Sequence, residues 1–379
     1  MLKGNVIIIR NAAHSDFGGG ERVPVFIARE VIKNSQLKPI IFSRSKKLLS
    51  FSKQESVPCI KTWWWDRQNW SGKKMTLIPI YIAWQVILYV YYVFMFTKYK
   101  ASIVHLQSKD DFIAGTLAAK TLGCRVIWTD HADLKHIFAN HRIWYKNPIG
   151  KMVYFAAHFA ELITVVSNED KSIIMSSIPT GTISAKMRIV YNGAFDAYKP
   201  TKKLDIFTFV SSSRLVTDKG IGETIRAFDK INKSYPNTAM RFIGDGPEKA
   251  RFEKLAAHNK NIIFLGHKDN PLDLINECHV YILATYHEGF SLALVEACML
   301  NMPIIATNIG GNKEIIFDSK TGLLVPIKDS NSLYKAMEVL INDSELRQLI
   351  ANNARKQYVD RFQFDKVINK EFISVYESK

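Results

Sequence analysis

The stretch Phe207-Thr208-Phe209-Val210-Ser211-Ser212-Ser213-Arg214-Leu215-Val216-Thr217-Asp218-Lys219-Gly220 opens on a short apolar run, turns polar, and ends in a glycine. A helical pattern, residues 221–232, departs from that glycine. The rhythm then repeats. Residues 240–243, 262–265, 280–283, 303–306 and 323–325 each read as a core strand, with helical segments between them, among them 247–257 and 291–300. Strands that are apolar throughout, rather than alternating, are buried on both faces. Strand and helix in alternation therefore predict a parallel sheet covered on both sides.

Upstream, the chain follows the same pattern. Val6-Ile7-Ile8-Ile9 reads as a buried strand, followed by Gly18-Gly19-Gly20 and a helix starting near Arg22, with Pro24 in its first turn. Further strand-like runs fall at 40–42, 103–106, 126–129 and 162–166. A length of 379 residues exceeds what one core usually organises. The expected fold class is α/β: two doubly wound Rossmann-like domains with an interdomain cleft, spanning 1–196 and 197–361. The polar, proline-containing stretch 194–203 is the expected linker. Ligands in such sheets sit beyond the carboxyl ends of the strands, so functional residues are expected just after strands.

Composition narrows the function classes. With 47% hydrophobic and 23% charged residues, disorder is excluded as the main theme. A net charge of +16 attracts phosphate-rich partners, whether nucleic acid, anionic lipid headgroups or a phosphorylated ligand. No zinc-finger spacing, ribonucleoprotein-type strand or basic zipper helix supports nucleic acid. Cys59, Cys124, Cys278 and Cys298 are scattered without a C-x-x-C pair, which argues against a zinc site or disulfide scaffold and fits a reducing compartment. Residues 1–10 are strand-like and lack a cleavage region, so no secretory signal is expected.

One segment breaks the pattern. Residues 77–96 are apolar except for Gln85, and long enough to cross a bilayer. Trp63-Trp64-Trp65, Arg67, Trp70, Lys73 and Lys74 precede it, and Lys98 and Lys100 follow. A span would split the first sheet. The expectation is a helix buried in the first domain or lying partly in a membrane surface, where Trp, Tyr and Lys are favoured.

The chemistry concentrates in Glu288-Gly289-Phe290-Ser291-Leu292-Ala293-Leu294-Val295-Glu296. Glu288 falls in a post-strand loop, and Glu296 two turns into a helix. Between them the amides of Phe290, Ser291 and Leu292 open that helix, and free amides with the dipole behind them form an anion site. A diphosphate can rest there, with Glu296 on a ribose diol and Glu288 on sugar hydroxyls. Arg214 and Lys219 share one post-strand loop and can neutralise charge on a departing diphosphate, although a surface charge pair is the plainer alternative. Gly244-Asp245-Gly246-Pro247 ends a strand and lets a flat base approach the backbone.

Taken together, the C-terminal half resembles the retaining glycosyltransferases of family 4, also described as glycosyl transferases group 1, whose fold is GT-B. The resemblance rests on Arg214, Lys219 and Gly220, the turn 244–247, residues 288–296, and Pro303-Ile304-Ile305-Ala306-Thr307 running into Gly310-Gly311 and Glu314, in matching order across 205–327. It implies that Arg214 and Lys219 bind the donor diphosphate, that Glu296 holds the ribose and that Glu288 contacts the donor sugar. Gly289, Phe290, Ser291 and Leu292 would meet phosphate, and Gly244, Asp245, Gly246 and Pro247 would border the base. In the first half, Gly19 and Gly20 resemble the family's glycine loop, with an additional glycine here, and His131 matches the histidine that faces the donor sugar. Residues 362–379 resemble the family's tail, which packs back on the first domain.

The resemblance further implies retention of anomeric configuration without a metal or other cofactor, the nucleotide-sugar, with UDP preferred, being a substrate. The implied partners are that donor, a glycan or polyprenyl-diphosphate-linked glycan acceptor and an anionic membrane at the inner face of the cell membrane, within the cytoplasm, with no nucleic acid. Capsule, surface polysaccharide or lipopolysaccharide assembly would fit. A sugar-nucleotide epimerase of the same fold, a non-catalytic sugar-binding module and a basic nucleic-acid-binding protein are the competing readings.

Overall fold

Seven parallel strands form the first sheet: β1 (Asn5–Ile9), β2 (Lys38–Ser43), β3 (Cys59–Lys61), β4 (Ala101–Leu106), β5 (Arg125–Asp130), β6 (Leu162–Val165) and β7 (Met187–Ile189). Their order across the sheet is β3-β2-β1-β4-β5-β6-β7. Six more form the second: β8 (Phe207–Ser212), β9 (Thr238–Ile243), β10 (Ile262–Phe264), β11 (Val280–Leu283), β12 (Ile304–Thr307) and β13 (Leu323–Val325), ordered β10-β9-β8-β11-β12-β13. This is a computed structural model, and it describes residues 4–11, 19–63, 78–131, 133–138, 148–178 and 181–378. Gly18 and most of the tryptophan-rich stretch, residues 64–77, lie outside the described residues.

The chain divides into two compact units, Met1–Asn192 with Asp365–Lys379, and Gly193–Phe364. Each sheet reverses direction once, between β1 and β4 in the first unit and between β8 and β11 in the second. Both are therefore doubly wound, with a topological switch point where loops diverge.

Central strands are buried along their length because helices cover both faces. Val6 to Ile9, and Val280 to Leu283, are at most 1% exposed. Trp128 of β5 shows how a large side chain with one polar atom is accommodated. Its ring stacks on Phe112 with centroids 4.2 Å apart, and its indole N–H donates to Thr116 Oγ1 at 2.9 Å.

The first helix, Gly19–Asn34, starts before Arg22, so Gly19 and Gly20 form its first turn rather than a loop. Pro24 accordingly falls in the second turn. Its missing N–H would have met the carbonyl of Gly20.

Residues 194–203 do not form a loose tether. Ala194 pairs with Gln363, and Ala194 and Phe362–Phe364 exchange backbone hydrogen bonds. Asn276 Nδ2 donates to the Lys199 carbonyl at 2.7 Å, and Lys203 Nζ to that of Asn276 at 2.8 Å. Asn276 thus ties the stretch to the rest of the second unit at two points.

Residues 365–378 pack on the rest of the first unit through two anchors. The Tyr376 hydroxyl meets His105 Nδ1 at 2.5 Å, and Arg125 donates to the carbonyls of Val375, Tyr376 and Ser378. Those carbonyls lie in the last turn of the chain's final helix, Ser374–Glu377, and just beyond it, where no intrahelical donor remains.

Candidate active site

The loops after β8 and β11 leave adjacent strands at the switch point of the second sheet. The first carries Arg214 and ends in the short turn Thr217–Lys219, followed by Gly220 at φ +65°. A Cβ on Gly220 would lie 2.0 Å from the carbonyl oxygen of Ala284, at the end of β11. Glycine is required there twice over, by the left-handed backbone and by the contact. That contact brings the two loops together, and Lys219 Nζ sits 2.6 Å from Glu288 Oε2.

Hydrogen bonds between loops fix the pair in place. The amide of Tyr286 and the hydroxyl of Thr285 donate to the Asp218 carbonyl at 2.7 and 3.0 Å. Thr307, at the end of β12, donates to the Thr285 carbonyl at 2.5 Å, and buried Asn312 holds the Thr307 carbonyl at 3.1 Å. This chain of contacts, running from 312 through 307 and 285 to 218, positions the loop that carries Lys219. Sequence reasoning missed it, since the partners lie up to 67 residues apart.

The helix Leu292–Met299 begins immediately beyond Glu288, with Ser291 as its N-cap. Ser291 Oγ accepts from the Leu294 amide at 3.4 Å and is buried, so this residue's remaining offer to a ligand is its own amide. Phe290 turns its ring inward onto Phe362, at 5.7 Å, and likewise presents backbone. Leu292 and Glu296 are partly exposed on that helix. The buried Tyr281 hydroxyl donates to the Ser212 carbonyl at 3.1 Å. Its pKa is raised by burial first, then by Glu296, and also by Glu288. Both carboxylates thus act on one phenol.

The glycine turn after β9 packs on the loop after β8 from its other flank. Leu215 N donates to the Asp245 carbonyl at 2.9 Å, and a Cβ on Gly246 would lie 2.4 Å from the Leu215 carbonyl oxygen. Gly244, at φ +138°, approaches more closely still, a Cβ there lying 2.0 Å from the Ser213 carbonyl oxygen, and Pro247 is exposed. Asp245 Oδ1 accepts from the Gly246 amide at 2.7 Å, making the turn self-contained. Glu248, not singled out in the sequence, grips Thr217 through its amide at 2.8 Å and its hydroxyl at 2.5 Å. Arg214 is exposed in the same loop cluster. Lys219, Glu288, Gly289 to Leu292 and Gly244 to Pro247 therefore sit on loops that touch one another around the carboxyl end of β8.

The first unit carries a second polar group at its own switch point. Arg10 follows β1, Gln107 follows β4 and His131 follows β5. His131 Nε2 lies 3.0 Å from Gln107 Oε1, Arg10 donates to the Gln107 carbonyl, and Arg10 pairs with Glu21 at 3.2 Å. Burial, then the Arg10 charge, holds the His131 pKa well below its ordinary value, so the ring is neutral. A Cβ on Gly20 would meet nothing within 4 Å, leaving that helix start accessible. His105 is fully buried between Tyr376 and Thr129, and burial pushes its pKa down to about 3, as suits a supporting residue. Arg10 and Gln107 were missed because a lone polar residue ending an apolar run carries no spacing signal. Among the described residues, no three His, Cys, Asp or Glu side chains gather as a metal site would need.

Two doubly wound parallel units with their polar loops at the switch points have the architecture of the GT-B fold. Residues 18–194 match Glycosyltransferase Family 4, and residues 195–357 match Glycosyl transferases group 1. These two matches account for most of the chain, and it belongs to this glycosyltransferase family.

The chain is 30% identical over 178 residues to the capsular polysaccharide biosynthesis glycosyltransferase CapM of Staphylococcus aureus, covering 46% of this chain and 47% of the relative. It is 25% identical over 297 residues to the UDP-Gal:alpha-D-GlcNAc-diphosphoundecaprenol alpha-1,3-galactosyltransferase of Escherichia coli, covering 72% and 74%. The match thus spans about half the length of the first relative and about three quarters of the second. In fold, a glycosyltransferase from Rickettsia africae superposes over 99% of this chain and 98% of its own, with a TM-score of 0.77 at 18% identity.

Proposed function

We propose that this chain transfers a sugar from a nucleoside-diphosphate donor, preferentially a UDP-sugar, to a lipid-linked glycan, with retention of anomeric configuration. The Lys219–Glu288 pair at the switch point carries this reading: a fixed cation and a fixed carboxylate, 2.6 Å apart, beside the start of a helix. Lys219, Arg214 and the amides opening at Leu292 would neutralise the diphosphate as it leaves. Glu288 orients the ammonium and accepts from sugar hydroxyls, and Glu296 accepts from the ribose diol. The bond from the anomeric carbon to the phosphate oxygen breaks as the acceptor oxygen bonds on the same face, and the acceptor's proton passes to the departing phosphate. In the first unit, neutral His131 is the hydrogen-bonding group assigned to the donor sugar by the family resemblance. Donor and acceptor classes are supported by the names of the relatives, one specific for UDP-Gal and a diphosphoundecaprenol-linked sugar, the other acting in capsule synthesis.

Two protein cations in place of a divalent ion lead to the expectation that transfer is metal-independent. UDP release should depend on both donor and acceptor and should persist in excess EDTA, and NMR of the product should show the donor's anomeric configuration. Formation of an isomerised nucleotide-sugar without acceptor and without net UDP release would support the epimerase reading instead. Inverted product or loss of activity in EDTA would overturn the proposed mechanism.

A further inference from the structure

The helix Ile78–Lys98 presents two different faces. Tyr81, Gln85, Leu88, Tyr92, Met95 and Phe96 are buried. Gln85, the strongly polar residue of the apolar run, accepts from the Ala114 amide at 3.2 Å, in the first turn of the neighbouring helix Phe112–Thr121. Tyr92 donates to the fully buried Asp111 carboxyl at 2.8 Å. The opposite face carries Ile80, Ile82, Val86, Ile87, Val90 and Phe94, each between 43% and 62% exposed. At about 100° per residue these positions fall within one arc of about 160°, a continuous hydrocarbon face about 20 Å long. Soluble surfaces rarely leave such a stripe uncovered. The expectation of a buried helix is thus met on one face alone.

Length and composition would let this helix cross a membrane. Its inner face is nevertheless tied to the first unit, and β4, which begins at Ala101, is an interior strand of the first sheet. The helix therefore lies flat against its unit. The positive charge is also unevenly distributed. Residues 1–192 and 365–379 hold 29 Lys and Arg against 15 Asp and Glu, a net of +14, whereas residues 193–364 hold 22 against 20, a net of +2.

We propose that the outer face of helix Ile78–Lys98 seats the first unit on an anionic bilayer, with Ile80 to Phe94 lying in the interfacial plane among the upper acyl chains. Charge selects this occupant over a second copy of the chain. Two units of +14 pressed face to face repel, whereas the same field is attracted to acidic headgroups. The surroundings of the stripe suit an interface as well. Exposed Trp63 packs edge-on against Trp84 at 5.9 Å, and the ammonium of exposed Lys98, at the end of the stripe, lies over the rings of Phe94 and Tyr99 at 6.0 and 5.6 Å. The inference stands apart from the donor-site reading, since it uses none of those residues.

The test uses the full chain in sedimentation with phosphatidylcholine vesicles, with and without phosphatidylglycerol. Binding should require phosphatidylglycerol and weaken with salt. Val86→Glu combined with Val90→Glu should lower the partition coefficient about a hundredfold, roughly tenfold per side chain. The melting temperature and UDP release with a water-soluble acceptor should stay at the parent level, which separates this outcome from failure of the catalytic reading. Absence of parent binding to anionic vesicles at low salt, or undiminished binding by the double variant, would overturn the proposal. So would a lipid-free dimer that the two glutamates dissociate, or retention in cell membranes through an alkaline carbonate wash.

Discussion

Lys219→Ala should lower kcat by about two to three orders of magnitude, the loss typical of removing one preorganised group that stabilises transition-state charge. The magnitude follows from when the cation acts. Charge accumulates on the diphosphate as the anomeric bond breaks, so an ammonium already held by Glu288 at 2.6 Å does its work mainly in the transition state. Stability should hardly change. Lys219 and Glu288 side chains are 23% and 21% exposed, and a partly solvated pair of this kind contributes no more than about 1 kcal/mol. Unchanged thermal denaturation beside a collapsed kcat would therefore locate the effect in chemistry. Arg214→Ala should reduce kcat in the same direction. If both variants turn over within a few-fold of the parent, these cations do not serve the leaving group.

Gly220→Ala should damage fold and function together. The added methyl would be placed 2.0 Å from the Ala284 carbonyl oxygen, on a backbone at φ +65°. Neither atom belongs to a flexible side chain, so the loops after β8 and β11 must separate. The cost is about 2–4 kcal/mol, combining a strained backbone with lost loop contacts, and urea denaturation would measure it. Separation also draws Lys219 from Glu288, so kcat should fall at least tenfold even where the variant is fully folded. A folded, fully active Gly220→Ala variant would show that the contact does not hold the site.

Much of the fold was legible because its strands are apolar throughout. The eleven runs read from sequence include the four central strands β1, β4, β8 and β11, around which both switch points are built. The two strands that were missed, β3 and β7, are three residues long and lie at the two edges of the first sheet, where Lys61 and Arg188 are exposed. With one neighbour and a solvated flank, such strands need no apolar run. The start of the first helix was misplaced because glycine reads as loop, yet Gly19 and Gly20 are helical.

The candidate site was legible where residue types announce their chemistry, as with Lys219 and Glu288 in loops after strands. It was not legible where residues act through geometry. Thr285, Thr307 and Asn312 are ordinary loop residues until the sheet order stacks their loops, and Gly220 matters for the atom it avoids. The helix Ile78–Lys98 shows the same limit. Its long apolar run was plain, but which face would be covered depended on Asp111 and the Ala114 amide, contributed by the turn before the following helix and by that helix.

Calorimetric titration of UDP and GDP into the parent and the Arg214→Ala/Lys219→Ala double variant addresses the second unit's anion site without relying on the acceptor. The parent should bind at least one of the two nucleotides at a single site, and the double variant, still folded, should bind it at least tenfold more weakly. Affinity unchanged by removing both cations, or no binding of either nucleotide by the parent, would contradict the assignment of this site to a nucleoside diphosphate.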